Sequence, residues 1–545
     1  MLKALRDKTQ GQRNKVSESR SLGVPVKGWY VGAPMAEAPA GTAFLLENTF
    51  PEYDYIRLRG GAVQFATGMS GVVRTLLPYT DGTAGKLFAV NAGNIFDISL
   101  GGAVGAPVVT GLNATAIMSY TQYSGTGPQT LVCANGVDPL QFYNGTSWST
   151  APAWTGLGPA AISNVWQYNN RLYGIAANST DVYYVGVNAI GGPVTIFPMG
   201  PLLRLGGKLA AGGTWTQLTS NGIQYTWFVI STEGEIIVFT GSFPGDTTGD
   251  PWRQTGCYKM SRPLGQNCIQ AGGGDVAILT EEGIEALSQA RSLDEIAIAP
   301  RAVSAAIGPA FREAVIARSG LVGWQMIVWP LRYMAIVNMP QIGPPHTQFI
   351  SNARTGAWCR YIGWDARCFA IHGLGQSKLY YGTSDGRVMQ AEQGGMDDGL
   401  SYCGTIFYSY SAVGTLDVGT AGSGAVVSAG QSTSRKQVKM IRPRFQTNIQ
   451  DIIPKITINT DFNTTIPSPP PPSGTIPAGA LWGVAKWGVD KWPGPSFFET
   501  QHWHETYAMS SVLAPVIQIS IKNATTPDLR LTNIDVLFES GNIFG

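Results

Sequence analysis

Short apolar runs occur in pairs along most of this chain, each pair joined by a turn-forming dipeptide. The clearest is Leu379-Tyr-Tyr-Gly-Thr-Ser-Asp-Gly-Arg-Val-Met-Gln-Ala-Glu392, in which Ser384-Asp385-Gly386 separates two strand-like runs. Asp-Gly between apolar runs predicts a tight hairpin, because such turns need residues that tolerate positive φ. Cognate pairs lie at 87–90 and 95–98 around Asn91-Ala-Gly-Asn94, at 131–133 and 140–143 around Asn135-Gly136, and at 172–175 and 182–185 around Asn178-Ser179. Two more lie at 227–230 and 236–239 around Glu233-Gly234, and at 276–279 and 284–287 around Glu282-Gly283. A looser copy runs from 334–337 to 348–350, and successive copies start 41 to 58 residues apart. A period near 40–50 residues with several strands in each copy predicts an all-β chain built on a β-propeller, here of six or seven blades over residues 28–400.

Outside the repeats the pattern changes. Ile517, Ile519 and Ile521 alternate with Gln518, Ser520 and Lys522, the period of a strand with one face buried. With strand-like runs at 439–442, 455–458 and 534–538, this predicts a β-sandwich-like domain over residues 401–545. Two long insertions are expected in the propeller, at 186–226 and 241–266. The second carries Phe243, Asp246, Asp250 and Trp252 and reads as an excursion beyond its blade. Helical spacing is confined to 289–320. Pro467 and the run 469–472 predict a stiff polyproline arm over 464–493, with Pro470 in its protruding part. Trp482, Trp487 and Trp492 follow at intervals of five, which neither helix nor strand gathers on one face, so an extended loop with separately docked indoles is expected. Residues 1–27 form a basic arm, Arg6 and Arg13 included, that lies either on a neighbouring subunit or in solvent.

Composition sharpens this picture. Charged residues make up 13% of 545 residues, about half of a usual share near 25%. So little charge covers a large surface poorly, which points to subunits buried against one another. A net charge of +2 supplies no general field for capturing nucleic acid. Basic residues cluster once more, at Arg435, Lys436, Lys439, Arg442 and Arg444. They are suited to phosphate or, as the preferred reading, to ion pairing across a subunit boundary. The first twenty residues lack a secretory pattern, and the stretch 321–340 is broken by Gln325, Pro330, Arg332 and Asn338, so no membrane span is expected.

Candidate chemistry is thin. The six cysteines show no C-x-x-C pair and read as buried thiols. His502-Trp503-His504 places two imidazoles on one strand face without a third ligand, so no metal is assigned. Neither H-E-x-x-H nor G-x-S-x-G occurs, and Gly82-Thr-Ala-Gly85-Lys86 is too short for a phosphate loop and lacks its Ser/Thr. Asp97, Glu233, Glu282 and Asp385 occupy repeated turn positions, not the facing pair that glycoside hydrolysis needs. The reading is a non-enzyme with no catalytic, cofactor or metal residue.

As a whole the chain resembles the tail nozzle proteins of short-tailed bacteriophages, the tail tubular B class, with packaged-DNA stabilisation tail proteins as a neighbouring family. The likeness rests on Leu46-Glu-Asn-Thr-Phe-Pro51, Ile56-Arg-Leu-Arg-Gly-Gly61, the propeller repeats, Asn352-Ala-Arg-Thr-Gly-Ala-Trp358, the tryptophan-glycine loop and Leu531-Thr-Asn-Ile-Asp-Val-Leu-Phe-Glu-Ser-Gly541. The resemblance implies a hexameric structural ring in the virion tail, a head–tail connector component made in the bacterial cytoplasm. It implies docking below an adaptor and portal, contact with tail fibre or spike proteins, and a lumen that retains double-stranded DNA and passes it without reading its sequence. It implies no cofactor. Phe243, Asp246, Asp250, Trp252 and Pro470 are the candidate lumen or gate residues. Arg6, Arg13, Arg435, Lys436, Lys439, Trp482, Trp487 and Trp492 are the candidate interface. The rival is a propeller that binds or depolymerises host-surface carbohydrate, with the tryptophans stacking on sugars.

Overall fold

The computed structural model describes residues 17–157, 161–219, 222–272, 274–292, 302–410, 435–474, 498–522 and 527–540. They fall into two compact units: a first formed by 61–356 and 361–393, and a second formed by residues up to 60, 357–360 and those from 394 onward.

The first unit is the propeller. Among the described residues its inner strands are Val73–Thr80, Ser119–Tyr123, Ile162–Tyr168, Leu209–Thr219, Ile269–Gly272, Gln325–Trp329 and Cys368–His372, one for each of seven blades. Every hairpin predicted from sequence is the second and third strand of a blade. Blade 2, for example, pairs Thr130–Ala134 with Gln141–Tyr143, and blade 7 pairs Lys378–Gly382 with Val388–Ala391. These middle strands read as unbroken apolar runs because both faces are covered. In blade 2, Leu131 and Cys133 pack toward blade 1 beside Tyr79 and Phe88. Val132 and Ala134 face blade 3 beside Ile162 and Leu172.

The ring closes by a strand exchange. Ala62–Thr67, which precedes blade 1 in the chain, pairs antiparallel with Val388–Ala391 as the outer strand of blade 7. Closure fastens the first and last blades together, so that neither is left with a bare apolar face. Gly386 shows why the turn before it needs glycine: φ is +85°, and a Cβ there would lie 2.2 Å from the Met69 carbonyl oxygen.

The structure moves several sequence boundaries. The stretch 186–226 is not an insertion, since it holds the outer strand of blade 3, Thr195–Pro198, and the inner strand of blade 4, Leu209–Thr219. Likewise 241–266 includes the outer strand of blade 4, Arg253–Lys259. Irregular outer strands lack the hairpin signature, so their sequence passes for loop. The propeller starts at 61, not 28, and residues 17–60 belong to the second unit. The helical stretch contains Gly308–Ala317 as an α-helix.

The second unit is built from two sheets. One orders Ala43–Glu47, Cys403–Tyr408, Leu513–Ser520 and Lys455–Thr460. The other centres on Leu529–Ser540, paired with Lys436–Thr447 on one side and with Glu18–Gly23 and Ile56–Leu58 on the other. Leu45, Phe407, Tyr410, Ala514 and Val516 form a core. Leu513–Ser520 is buried along its whole length, polar positions included. The reason is the polyproline run, which lies along this strand instead of protruding. Gln518 Nε2 donates to the Pro467 carbonyl at 2.9 Å, the Ser473 amide donates to the Ser520 carbonyl at 3.0 Å, and Pro470 is buried.

Candidate functional site

The inner strands of the propeller begin around an axial cavity of about 240 Å³. A belt of neutral side chains at the heads of these strands joins successive blades. Thr75 Oγ1 accepts from the Met118 amide at 3.0 Å, and Ser119 Oγ accepts from Asn164 Nδ2 at 3.2 Å. Asn164 Oδ1 accepts from the Gly212 amide at 3.4 Å. Gln325 exchanges two bonds with Phe369, donating at 2.9 Å and accepting at 2.8 Å. Across the axis, Gln266 Nε2 donates to the Ile117 carbonyl at 2.8 Å. Inner-strand edges leave backbone groups without a ladder partner, and an amide or hydroxyl satisfies them without adding charge. At Gly212 the neighbouring indole closes in: a Cβ would meet the Trp166 ring at 2.6 Å.

Sequence reasoning missed this belt. A usable signal existed, a polar residue entering the inner strand ahead of an apolar hairpin, as at Thr75, Ser119, Asn164 and Gln325. Arg74 and Arg367 also line the cavity, and among the described residues no carboxylate does. Arg367 is neutralised by Asp365 at 2.8 Å, and Arg74 Nε donates to the Ala114 carbonyl at 3.0 Å.

Four of the candidate gate residues, Phe243, Asp246, Asp250 and Trp252, share one loop closed by its own backbone, the Ser242 amide donating to the Asp250 carbonyl and the Trp252 amide to the Asp246 carbonyl. Trp252 stacks on Phe239 at 5.1 Å with rings 9° apart and meets Trp227 at 5.6 Å. Phe243 lies beneath the Arg171 guanidinium at 4.2 Å, and the Tyr184 hydroxyl donates to the Pro244 carbonyl at 2.8 Å. The loop is therefore tied into the core between blades 3 and 4, contrary to the expected excursion. Only its tip is exposed. There Asp246 Oδ1 accepts from the Thr248 amide at 2.9 Å, and Asp250 faces solvent.

Within the basic cluster of the second unit, Lys439, Arg442 and Arg444 have acidic partners in the chain itself. Asp535, 3% exposed, accepts from Arg442 Nη2 at 2.6 Å, from Arg444 Nη2 at 2.9 Å and from the Ser21 hydroxyl. Burial alone would raise its pKa, but these hydrogen bonds and charges outweigh burial and hold the carboxyl below its ordinary value. Lys439 lies 3.6 Å from Glu539, and Lys436 is buried. Arg435 is exposed. Arg6, Arg13, Trp482, Trp487 and Trp492 lie outside the described residues.

The remaining candidates have structural roles. Asp97 pairs with Lys86, Glu233 with Arg262 and Asp385 with Arg387, each within 2.8 Å. Glu235, fully buried, accepts from the Arg204 and Leu205 amides at 2.8–2.9 Å, clamping the segment that leads into blade 4. Cys133, Cys268, Cys359 and Cys368 are buried. Burial pushes Cys268 and Cys368 up to about 12, which keeps them protonated and unreactive. Burial, and then the proximity of His502, lowers the His504 pKa. Among the described residues no group of three or more His, Cys, Asp or Glu is placed to hold a metal, and no helix is long and apolar enough to cross a membrane.

No protein-family model matches the sequence, and a comparison with curated proteins finds no match. Among solved structures, the chain is similar to BBS1N in a complex with ARL6DN, with 11% identity, a TM-score of 0.39, and coverage of 61% of this chain and 97% of that one. It is also similar to the β-propeller domain of Myceliophteria thermophila Cps50 (Swd1), with 11% identity, a TM-score of 0.37 and coverage of 61% and 98%. A third is YCF48 from Cyanidioschyzon merolae, with 12% identity, a TM-score of 0.36 and coverage of 61% and 98%.

Proposed function

We propose that this chain is a structural subunit of a short-tailed phage nozzle, a ring through which packaged DNA is retained and then ejected. The observation that carries the reading is the chain-wide sequence resemblance. Two physical features support it. Large apolar side chains stand in solvent on a chain poor in charge: Leu100 is 98% exposed, Tyr53 77%, Leu400 73% and Tyr507 72%. Such surface is ordinarily covered by neighbouring subunits, and a heterologous contact whose rotation closes generates a ring. The second feature is the axial cavity. At about 240 Å³ it holds on the order of eight waters. A duplex cannot thread one propeller, so a conduit for DNA has to lie between subunits.

In this reading the protein is not an enzyme. Among the described residues the axial cavity offers amides and arginines but no carboxylate pair, which also weighs against the depolymerase alternative. The lumen-facing element is reduced to the exposed loop tip at 245–250. Asp246 and Asp250 there would repel phosphates and so avoid the friction that cationic contacts create. Hexamer formation, docking on an adaptor and portal, contact with fibres or spikes, and residence in the virion tail belong to the same proposal.

Electron microscopy and native mass spectrometry of the purified chain, alone and with the cognate adaptor, test it. The expected result is a closed sixfold ring. A monodisperse monomer under both conditions overturns it.

A further inference from the structure

The axial cavity does not end blindly. It shares Ile117, Gln266, Asn267, Gly323 and Trp324 with a wider vestibule of about 420 Å³ on the face where the inner strands begin. Taken together the two fall within the roughly 300–1,000 Å³ typical of small-molecule sites, which combine an apolar body with a few convergent polar groups.

The two halves differ in chemistry. The inner half is polar and carries an uncompensated cation. Arg367 is paired with Asp365, whereas Arg74 makes no ion pair among the described residues. Arg74 Nε is fixed on the Ala114 carbonyl, which orients the guanidinium and leaves its terminal nitrogens as donors. Tyr120 also borders this half, its side chain packed against the core between blades 1 and 2. The outer half is mixed but carries a larger apolar share: Leu264, Val315, Leu321, Val322 and Trp324 line it, with Leu321 44% and Val322 73% exposed, beside Thr115, Asn135 and Ser319. Of its charged groups, Arg318 is held through Nε and Nη1 by the Pro340 and Ala314 carbonyls, and Glu281 is exposed.

A cation in the polar half and apolar side chains toward the mouth match one kind of ligand. We infer that cavity and vestibule form a single site for a small organic anion with an apolar body, its phosphate or carboxylate head on Arg74 and its aryl or alkyl body against Leu321, Val322 and Trp324. This site stands on the propeller alone and does not rest on the tail reading.

Calorimetric titration of the full chain at low salt tests the inference, with inorganic phosphate, phenyl phosphate, acetate and phenylacetate as probes. One equivalent of an aryl anion is expected to bind at least about tenfold more tightly than its inorganic or methyl counterpart. An advantage for phenyl phosphate assigns a phosphate head, and one for phenylacetate a carboxylate head; either supports the site. Val322→Asp, at an exposed position, is expected to abolish the advantage of the aryl body. Arg74→Gln is expected to weaken the aryl anion at least about tenfold. Arg74 also steadies Ala114, so Asn267→Asp serves as a second variant, placing a carboxylate in the cavity while leaving that bond in place. It should abolish binding with the melting temperature unchanged. Absence of saturable binding by every probe to about 10 mM overturns the inference, as does equal affinity in wild type and both cavity variants.

Discussion

In the propeller, groups that touch across a blade boundary are close in the chain everywhere but at the ring closure between blades 7 and 1: Leu131 of blade 2 packs on Phe88 of blade 1, and Leu172 of blade 3 on Val132 of blade 2. In the second unit the joins span hundreds of positions. Arg59 reaches Asp397, 338 residues away, with Nη1–Oδ1 2.9 Å, while Nε donates to Asn48 and the guanidinium lies 3.8 Å above the Tyr402 ring. Ser21 reaches Asp535 across 514 residues, and Arg360 reaches Glu47 across 313 at 2.8 Å. The propeller coheres through non-directional apolar burial repeated blade by blade. The second unit uses charge-assisted hydrogen bonds, whose geometry selects one partner where apolar contact would accept several. Local repetition needs little specificity, and assembling distant segments needs more.

The sharpest way to break this contrast is to remove one side of the clamp. Arg59 is fully buried and Asp397 is 17% exposed. Arg59→Met leaves a mostly buried carboxylate without its partner, which is expected to cost about 3–5 kcal/mol. The double variant Arg59→Met with Asp397→Leu is expected to recover most of that loss, because it removes the stranded charge. Urea unfolding followed by tryptophan fluorescence measures both. A single-variant loss below about 1 kcal/mol would reduce the clamp to the rank of a surface pair.

A smaller effect tests the propeller side, at the loop first expected to swing as a gate. Trp252 contacts Phe197, Trp227 and Phe239 edge-on or stacked. Trp252→Ala should leave a cavity and cost about 2–4 kcal/mol, at or below the usual range for buried aromatics because this indole is only partly enclosed. A change within about 0.5 kcal/mol means that the loop is independent of the blade, as a free gate requires.

The two regions also differ in how far the sequence announces them. Blade hairpins were legible because turn and strands sit within some fifteen residues, as with Ser384-Asp385-Gly386, and local chemistry alone defines them. Outer strands such as Thr195–Pro198 and Arg253–Lys259 carry no turn dipeptide, so their sequence reads as insertion. The sheet unit was half legible. Alternation of Ile517, Ile519 and Ile521 identified a strand but not its cover, because a proline run 45 or more residues upstream buries Gln518. The axial belt escaped notice because Thr75, Ser119, Asn164 and Gln325 are unremarkable one at a time. Only closure of the ring brings them to one axis.

The smallest effect concerns the cluster on Asp535, which resembles an interfacial basic patch when read in sequence. Its carboxyl is held below its ordinary value, so the stability it contributes is fully present above the unfolded-state pKa, near 3.9. That contribution is lost as pH falls through the lower folded value. Asp535→Asn removes it, leaving Arg442 and Arg444, 26% and 38% exposed, able to turn to water. The expected cost at pH 7 is about 1–2 kcal/mol. Urea midpoints of wild type and variant should differ at neutral pH and converge in acid below the folded pKa. A gap that persists unchanged into acid would show that Asp535 holds its strands by shape and not by charge, and the contrast between the two units would then rest on Arg59 and Arg360 alone.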